Sequence, residues 1–191
     1  MKLDDAVVKL STDPFNPEYN FLCAKEYDRL NQTASAVSFY LRTAEYGFIS
    51  HKYLAYRSLL RMSICFETQH DRVNTVSNCI LQAVALYPER PEAYFLMARF
   101  YEKQGSWQEC YTWASLGLTA AKKLGSDNQD VLLEYHYSIS LVFEKAVSAW
   151  WIGRGKESKE LFSEILASNL TTEAYRVASE GNMNRVNNVT V

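Results

Sequence analysis

Carboxylates close enough to hold a divalent cation against a diphosphate occur twice in this chain, as Asp4-Asp5 and as Asp127 with Asp130. That chemistry needs its acids at a strand end, where they converge on one metal. Asp4 and Asp5 lie instead in a polar N-terminal segment, and Asp127 and Asp130 in a polar loop, so both pairs read as solvated charges. The histidines, His51, His70 and His136, fall in three different connections or helix ends, with no i, i+4 partner and no nearby cysteine. A zinc site needs such spacing. Gly153-Arg154-Gly155 lacks the spaced glycines and the lysine of a phosphate-binding loop, and reads as a turn between two helices. Serines are plentiful, but none sits in a Gly-x-Ser-x-Gly elbow and no strand is available to mount one. The expectation is a chain that is not an enzyme and carries no metal or cofactor.

The composition narrows the partners. Of 191 residues, 48% are hydrophobic and 22% charged, with a net charge of −2. That balance is globular, and it lacks the clustered Lys and Arg that a nucleic-acid backbone requires. No apolar run approaches the roughly 18 residues of a membrane span. Met1-Lys2-Leu3-Asp4-Asp5 is polar where a secretory signal would be apolar, so the expected location is the cytoplasm. Under that expectation the sequons at Asn31, Asn169 and Asn188 carry no weight. Cys23, Cys65, Cys79 and Cys110 are far apart and embedded in apolar helical patterns, where cysteine behaves as a small buried hydrophobe.

The elements that must carry any binding surface are helices. Only 7 glycines and 4 prolines punctuate the sequence, and apolar residues recur at three- and four-residue steps. Pro91 opens a helix whose stripe is Tyr94, Met97, Ala98 and Tyr101; Gly105 closes it, and Ser106 starts the next. That second helix, from Trp107 to about Ala121, aligns Cys110, Trp113, Ala114, Gly117 and Leu118. Small residues alternating with large ones suit two antiparallel helices in close contact. The segment Pro17 to Tyr27 repeats Pro91 to Tyr101 at Pro, Glu, Leu, Ala and Tyr, and pairs with a helix from Ala34 to about Tyr46. Two further pairs are predicted: Tyr53 to Glu67 with Val73 to Leu86, and Leu133 to Trp151 with Glu157 to Ala167.

A two-helix unit recurring at about 34 residues resembles the tetratricopeptide repeat. The residues that carry the resemblance are Tyr94, Met97-Ala98, Tyr101, Gly105 and Leu118, with Ala83, Leu86 and Pro88 at the end of the preceding unit. Gly117 departs from the family, which prefers alanine there, and the stretch from Gly125 to Tyr135 is a long approach. The resemblance implies an all-α fold, a right-handed α-solenoid of about four antiparallel helix pairs with short terminal helices. It covers residues 15–168, between an N-terminal capping helix at 1–14 and a short helix with a polar tail at 169–191. Arg90 to Tyr94, Phe100-Tyr101-Glu102, Trp107-Gln108-Glu109 and Phe143 to Trp151 are also similar to helical-repeat regions that accompany glycosyltransferase-like proteins of bacteria, large phages and other viruses. That second resemblance implies an accessory module whose catalytic domain lies elsewhere, or a structural or assembly component of a virus particle, in a host cytoplasm or a virion.

In the repeat family the inner wall is lined by the first helix of each pair. Carried over, this gives a candidate protein-binding groove of Phe21, Lys25 and Arg29, with Asp28, from the first unit; Leu60 and Ile64, with Glu67, from the second; and Phe95, Arg99, Glu102 and Lys103 from the third. Phe21, Leu60 and Phe95 would form an apolar ladder flanked by Lys25 and Arg99, suited to a protein or peptide with apolar anchors and an acidic group. Self-association is a further possibility for such repeats. The two-carboxylate clamp of chaperone-docking members is missing: Lys25 and Arg61 hold its asparagine places, and Phe21 a lysine place. Trp150 and Trp151, adjacent on a helix, must point about 100° apart, one inward and one outward.

Overall fold

The computed structural model describes residues 2–69, 72–124, 129–130 and 133–188, the side chains of 129, 130, 187 and 188 excepted. His70 and Asp127 lie outside the described residues. Ten helices are seen among those described: α1 (Leu3–Thr12), α2 (Pro17–Arg29), α3 (Thr33–Gly47), α4 (Lys52–Glu67), α5 (Val73–Leu86), α6 (Pro91–Lys103), α7 (Trp107–Leu124), α8 (Tyr137–Trp151), α9 (Gly155–Ala167) and α10 (Glu173–Asn188). The chain separates into two compact units, Met1–Tyr87 and Pro88–Val191.

In the first unit each helix packs on the next, from α1 to α5, and the first helices of successive pairs, α2 and α4, also touch. Asn16 starts α2, its side-chain oxygen accepting from the amides of Glu18 at 3.0 Å and Tyr19 at 3.2 Å, with Pro17 in the first turn. This is the capping chemistry expected where proline opens a helix. In the second unit α6 pairs with α7 and α8 with α9, α6 touches α8, and α10 closes over α8 and α9.

The turns after α2, α6 and α8 repeat one device. Asn31, Gly105 and Gly153 follow α2, α6 and α8 with φ of 57°, 69° and 80°. In each case the next residue's amide reaches back five positions: Gln32 to Tyr27 at 2.9 Å, Ser106 to Tyr101 at 3.0 Å, Arg154 to Ala149 at 2.8 Å. A left-handed residue that closes a helix end in this way satisfies carbonyls which would otherwise be orphaned. The first-helix starts, Pro17, Lys52, Pro91 and Tyr137, are spaced by about 35, 39 and 46 residues.

Two segments depart from the expectations above. Residues 133–136 are not helical: Tyr135–His136 forms a short antiparallel ladder with Gln129–Asp130, and α8 begins only at Tyr137. Leu133 and Tyr135 are both fully buried, while Glu134 between them is exposed and has a positive φ of 55°, which interrupts any right-handed helix there. The expected polar tail from Gly181 is helix instead, because α10 runs on to Asn188 and places Met183 and Val186 against Ile139, Val142, Phe162 and Ile165. Burial of that stripe outweighs the weak helix propensity of Gly181 and its asparagine neighbours.

Gly117 shows why alanine is not used at its position. A methyl group there would stand 2.7 Å from Leu141 Cδ2 and 2.8 Å from Tyr94 Cβ. Replacing Gly117 with Ala is therefore expected to lower stability by about 1–3 kcal/mol through overpacking, despite the better helix propensity of alanine. Urea unfolding of the two proteins measures it; an unchanged or raised midpoint would show that the seam can widen at no cost.

Candidate functional site

The candidate residues divide by unit. In the first, Phe21 is 5% exposed and Leu60 0%; in the second, Phe95 is 1% exposed. The apolar ladder is thus core rather than groove lining. Phe21 packs edge-on to Tyr40 of α3 at 5.8 Å, and Phe95 meets Tyr135 at 5.6 Å. Helical spacing placed the three on one face, but an aromatic or leucine on the seam between helices gains more from contact than from solvent. Lys25 and Ile64 are half-buried and Arg29 is exposed. Arg99 and Glu102 are half-buried and Lys103 is exposed. What these first helices offer to solvent is chiefly charge.

Asp28 joins three helices of the first unit. Arg61 of α4 donates to its Oδ2 through Nε at 2.9 Å and Nη2 at 2.5 Å, and the Tyr40 hydroxyl of α3 donates to the same oxygen at 3.0 Å. The two charged side chains are only 17% and 20% exposed, so the pair is shielded from water. Burial pushes the Tyr40 hydroxyl up, and the Asp28 charge adds to it; the Cys65 thiol, buried beside the same carboxylate, is pushed up to about 11. This pair explains why Arg61 cannot serve as a clamp residue: its guanidinium is committed to the frame.

Glu144 of α8 was not singled out by its spacing. It is 7% exposed, and burial pushes its carboxyl up to about 8; the Glu102 charge adds to this, while Arg99 and Lys103 oppose it. A lone glutamate within Leu141-Val142-Phe143-Glu144, flanked one turn away by the buried Ser140 and Ser148, was the available signal. Nearby, Arg99 donates to Glu134 at 3.2 Å, and the Tyr175 hydroxyl of α10 donates to Ser140 at 3.0 Å.

At the turn end of the second unit, Trp107 and Trp151 stack at 5.1 Å with planes 12° apart, and Trp151 is 60% exposed. Trp150 points the other way into the α8–α10 cluster, as adjacent helical positions require. Tyr111 lies one turn beyond Trp107. Its hydroxyl donates to Glu157 at 2.8 Å and accepts from Arg154 at 2.8 Å, while the Arg154 guanidinium lies 4.5 Å from its ring centroid. Lys145 completes the cluster at 2.8 Å from Glu157.

Among the described residues, no group of three or more His, Cys, Asp or Glu side chains is arranged to hold a metal ion. His51 contacts Glu18 at 3.6 Å, and His136 lies edge-on to Tyr175 at 6.1 Å. All four cysteines are buried free thiols. No described helix is long and apolar enough to cross a membrane.

No protein-family model matches the sequence, and no curated protein matches it either. Solved structures do. A thermophilic TPR protein of Thermus thermophilus superposes with a TM-score of 0.64 at 14% identity, over 95% of this chain and 89% of that one. The fold is that of tetratricopeptide-like helical repeats. PilW, a type IV pilus biogenesis factor, is similar with a TM-score of 0.66 at 15% identity, covering 88% and 70% of the two chains. The TPR-like repeats of a putative kinesin light chain from Podosopora anserina give 0.61 at 17% identity, covering 90% and 86%.

Two outcomes follow from the buried charges. Asp28→Asn leaves Arg61 without its anionic partner and is expected to cost about 2 kcal/mol, read from the denaturant midpoint; a loss below about 0.5 kcal/mol would reduce the pair to a surface contact. Glu144 has its folded-state value raised from 4.5 to about 8. A folded state that holds this proton more tightly has its linked stability fully present below about pH 4.5 and loses it as pH rises through about 8. The difference in Tm between Glu144→Gln and the parent should therefore widen from pH 5 to pH 8.5 in favour of the variant. A constant difference would show that Glu144 is ionised throughout.

Proposed function

We propose that this chain is a non-catalytic scaffold that binds a protein or peptide on the solvent-facing sides of its first helices. The observation that carries the reading is the split between Phe21 and Phe95, which serve the core as Leu60 does, and Lys25, Arg29, Arg99, Glu102 and Lys103, which reach solvent from the same two helices, α2 and α6. The fold supports it, because repeats of this kind present long helical faces on a frame whose rigidity comes from packing. The recognition chemistry is a charged one, with Lys25 and Arg29 in the first unit favouring an acidic segment of the partner. Ile64 of α4 supplies a half-buried apolar contact in the same unit.

A second reading is an accessory module of a glycosyl-transfer system whose catalytic domain is on another chain. The exposed indole of Trp151, held flat by Trp107, favours it, since such a face stacks on the apolar side of a sugar ring. Tryptophan fluorescence that does not change on titration with oligosaccharides would sink this second reading.

For the first, Lys25→Glu with Arg29→Glu, and Arg99→Glu with Lys103→Glu, are made in the full chain. Partner recovery by affinity capture is expected to fall about tenfold for at least one pair, as reversed charge acts on specific association. Undiminished recovery by both variants, each with parental circular dichroism, would move the binding surface elsewhere.

A further inference from the structure

The end of α3 and the turn after it carry four exposed apolar side chains within nine residues: Leu41, Tyr46, Phe48 and Ile49. Ile49 is 91% exposed and Phe48 59%. Phe15 joins them, 68% exposed and edge-on to Tyr46 at 5.3 Å. Tyr46, Phe48 and Ile49 themselves line one side of a groove of about 1060 Å³ that the first unit opens between α3, α4 and α5. Its floor is apolar and closed, formed by Ala44, Leu59 and Leu86, and Leu41 and Ala85 stand on its two helical walls. A projecting apolar patch of this kind, next to an apolar hollow, is what a protein surface seldom leaves uncovered.

We propose that this face binds a second copy of the same chain, in an isologous pair in which the Phe48–Ile49 projection of each copy enters the groove of the other. Two properties of the face select a second copy over a different protein. Phe48 and Ile49 rise from one wall of the hollow, so a two-fold axis along that wall brings the projection of each copy onto the hollow of the other. The charges obey the same rule. Glu45 and Lys52, both exposed, line the same groove on either side of the turn. A wholly acidic or wholly basic partner meets one matched charge and one clashing charge, whereas a copy rotated by half a turn sets Lys52 against Glu45 at both ends. The face belongs entirely to the unit Met1–Tyr87 and uses none of the charged first-helix residues proposed above for partner binding. The pairing and that function therefore stand or fall separately.

Sedimentation velocity of the full chain, from low micromolar to about 200 μM, tests the pairing. The parent is expected to shift from monomer to dimer across that range. Ile49→Asp should remain monomeric at concentrations where the parent is paired, with unchanged circular dichroism because Ile49 makes little contact within its own chain. Glu45→Lys alone and Lys52→Glu alone each place like charges at both ends of the axis, and should weaken pairing about tenfold or more. An equimolar mixture of these two variants restores Lys opposite Glu at both contacts and should pair as the parent does. A parent that stays monomeric throughout overturns the proposal. So does association that Ile49→Asp leaves intact, or a mixture of the charge variants that fails to recover.

Discussion

Close approach of helix backbones is the constraint on which everything else in this protein rests. Ala24, Ala36, Ala55, Ala83, Ala93, Ala98, Ala114, Ala146 and Ala149 have no exposed surface at all, and Gly117 leaves no room even for a methyl group. Where a side chain is this small, the neighbouring helix comes near enough for large residues on either side to interlock. Several of the tyrosines and phenylalanines of the chain fill the spaces so defined. That is why Tyr40, Tyr56, Phe95 and Phe162 are almost wholly enclosed despite their size.

Close packing also sets the terms for polar groups. Asp28 can be shielded from water only because Arg61 and Tyr40 reach it from two other helices and satisfy one oxygen between them. Glu144 sits in a similar seam, but with another carboxylate, Glu102, nearby as well as Arg99 and Lys103. The two acids take opposite solutions to one problem. Asp28 engages a direct ion pair, whereas Glu144 holds its proton into the neutral range, as burial without a bonded cation demands. Ser158, enclosed on α9, takes the neutral route to the same end by donating to the Ala146 carbonyl at 2.8 Å. Buried polar side chains therefore work as links between helices.

The division of labour among apolar residues follows from the same geometry. Each first helix is enclosed by its partner and by its neighbours in the unit, so its large apolar positions turn inward and its exposed face becomes charged. The end of α3 is different. There the turn to α4 leaves Phe48 and Ile49 past the last helical turn, where no neighbouring helix of the unit covers them. The exposed apolar surface of the first unit thus gathers at that turn, while the exposed residues of the first helices are chiefly charged.

Much of this was legible in the residues. Pro17 and Pro91 fix two helix starts, Gly105 and Gly153 fix two helix ends, and alanine at helical spacing marks the seams, because capping and periodicity are local properties of the chain. From these the helix pairs and the repeat class follow. Periodicity gives the face of a helix on which a residue lies, but not which neighbour meets that face. Phe21, Leu60 and Phe95 share by spacing the face expected to line a groove, yet Tyr40 and Tyr135 pack against two of them and all three are buried. The break in the helix at residues 133–136 and the helical Gly181–Asn188 stretch were likewise decided by burial of Leu133, Tyr135 and Val186, which overrides weak local preference. The raised carboxyl of Glu144 and the hollow that Ile49 helps to line depend on residues far apart in sequence. The sequence alone determined the helices and their repeat; only the tertiary structure decided which of their faces remain free, because exposure is a property of neighbours rather than of the residue itself.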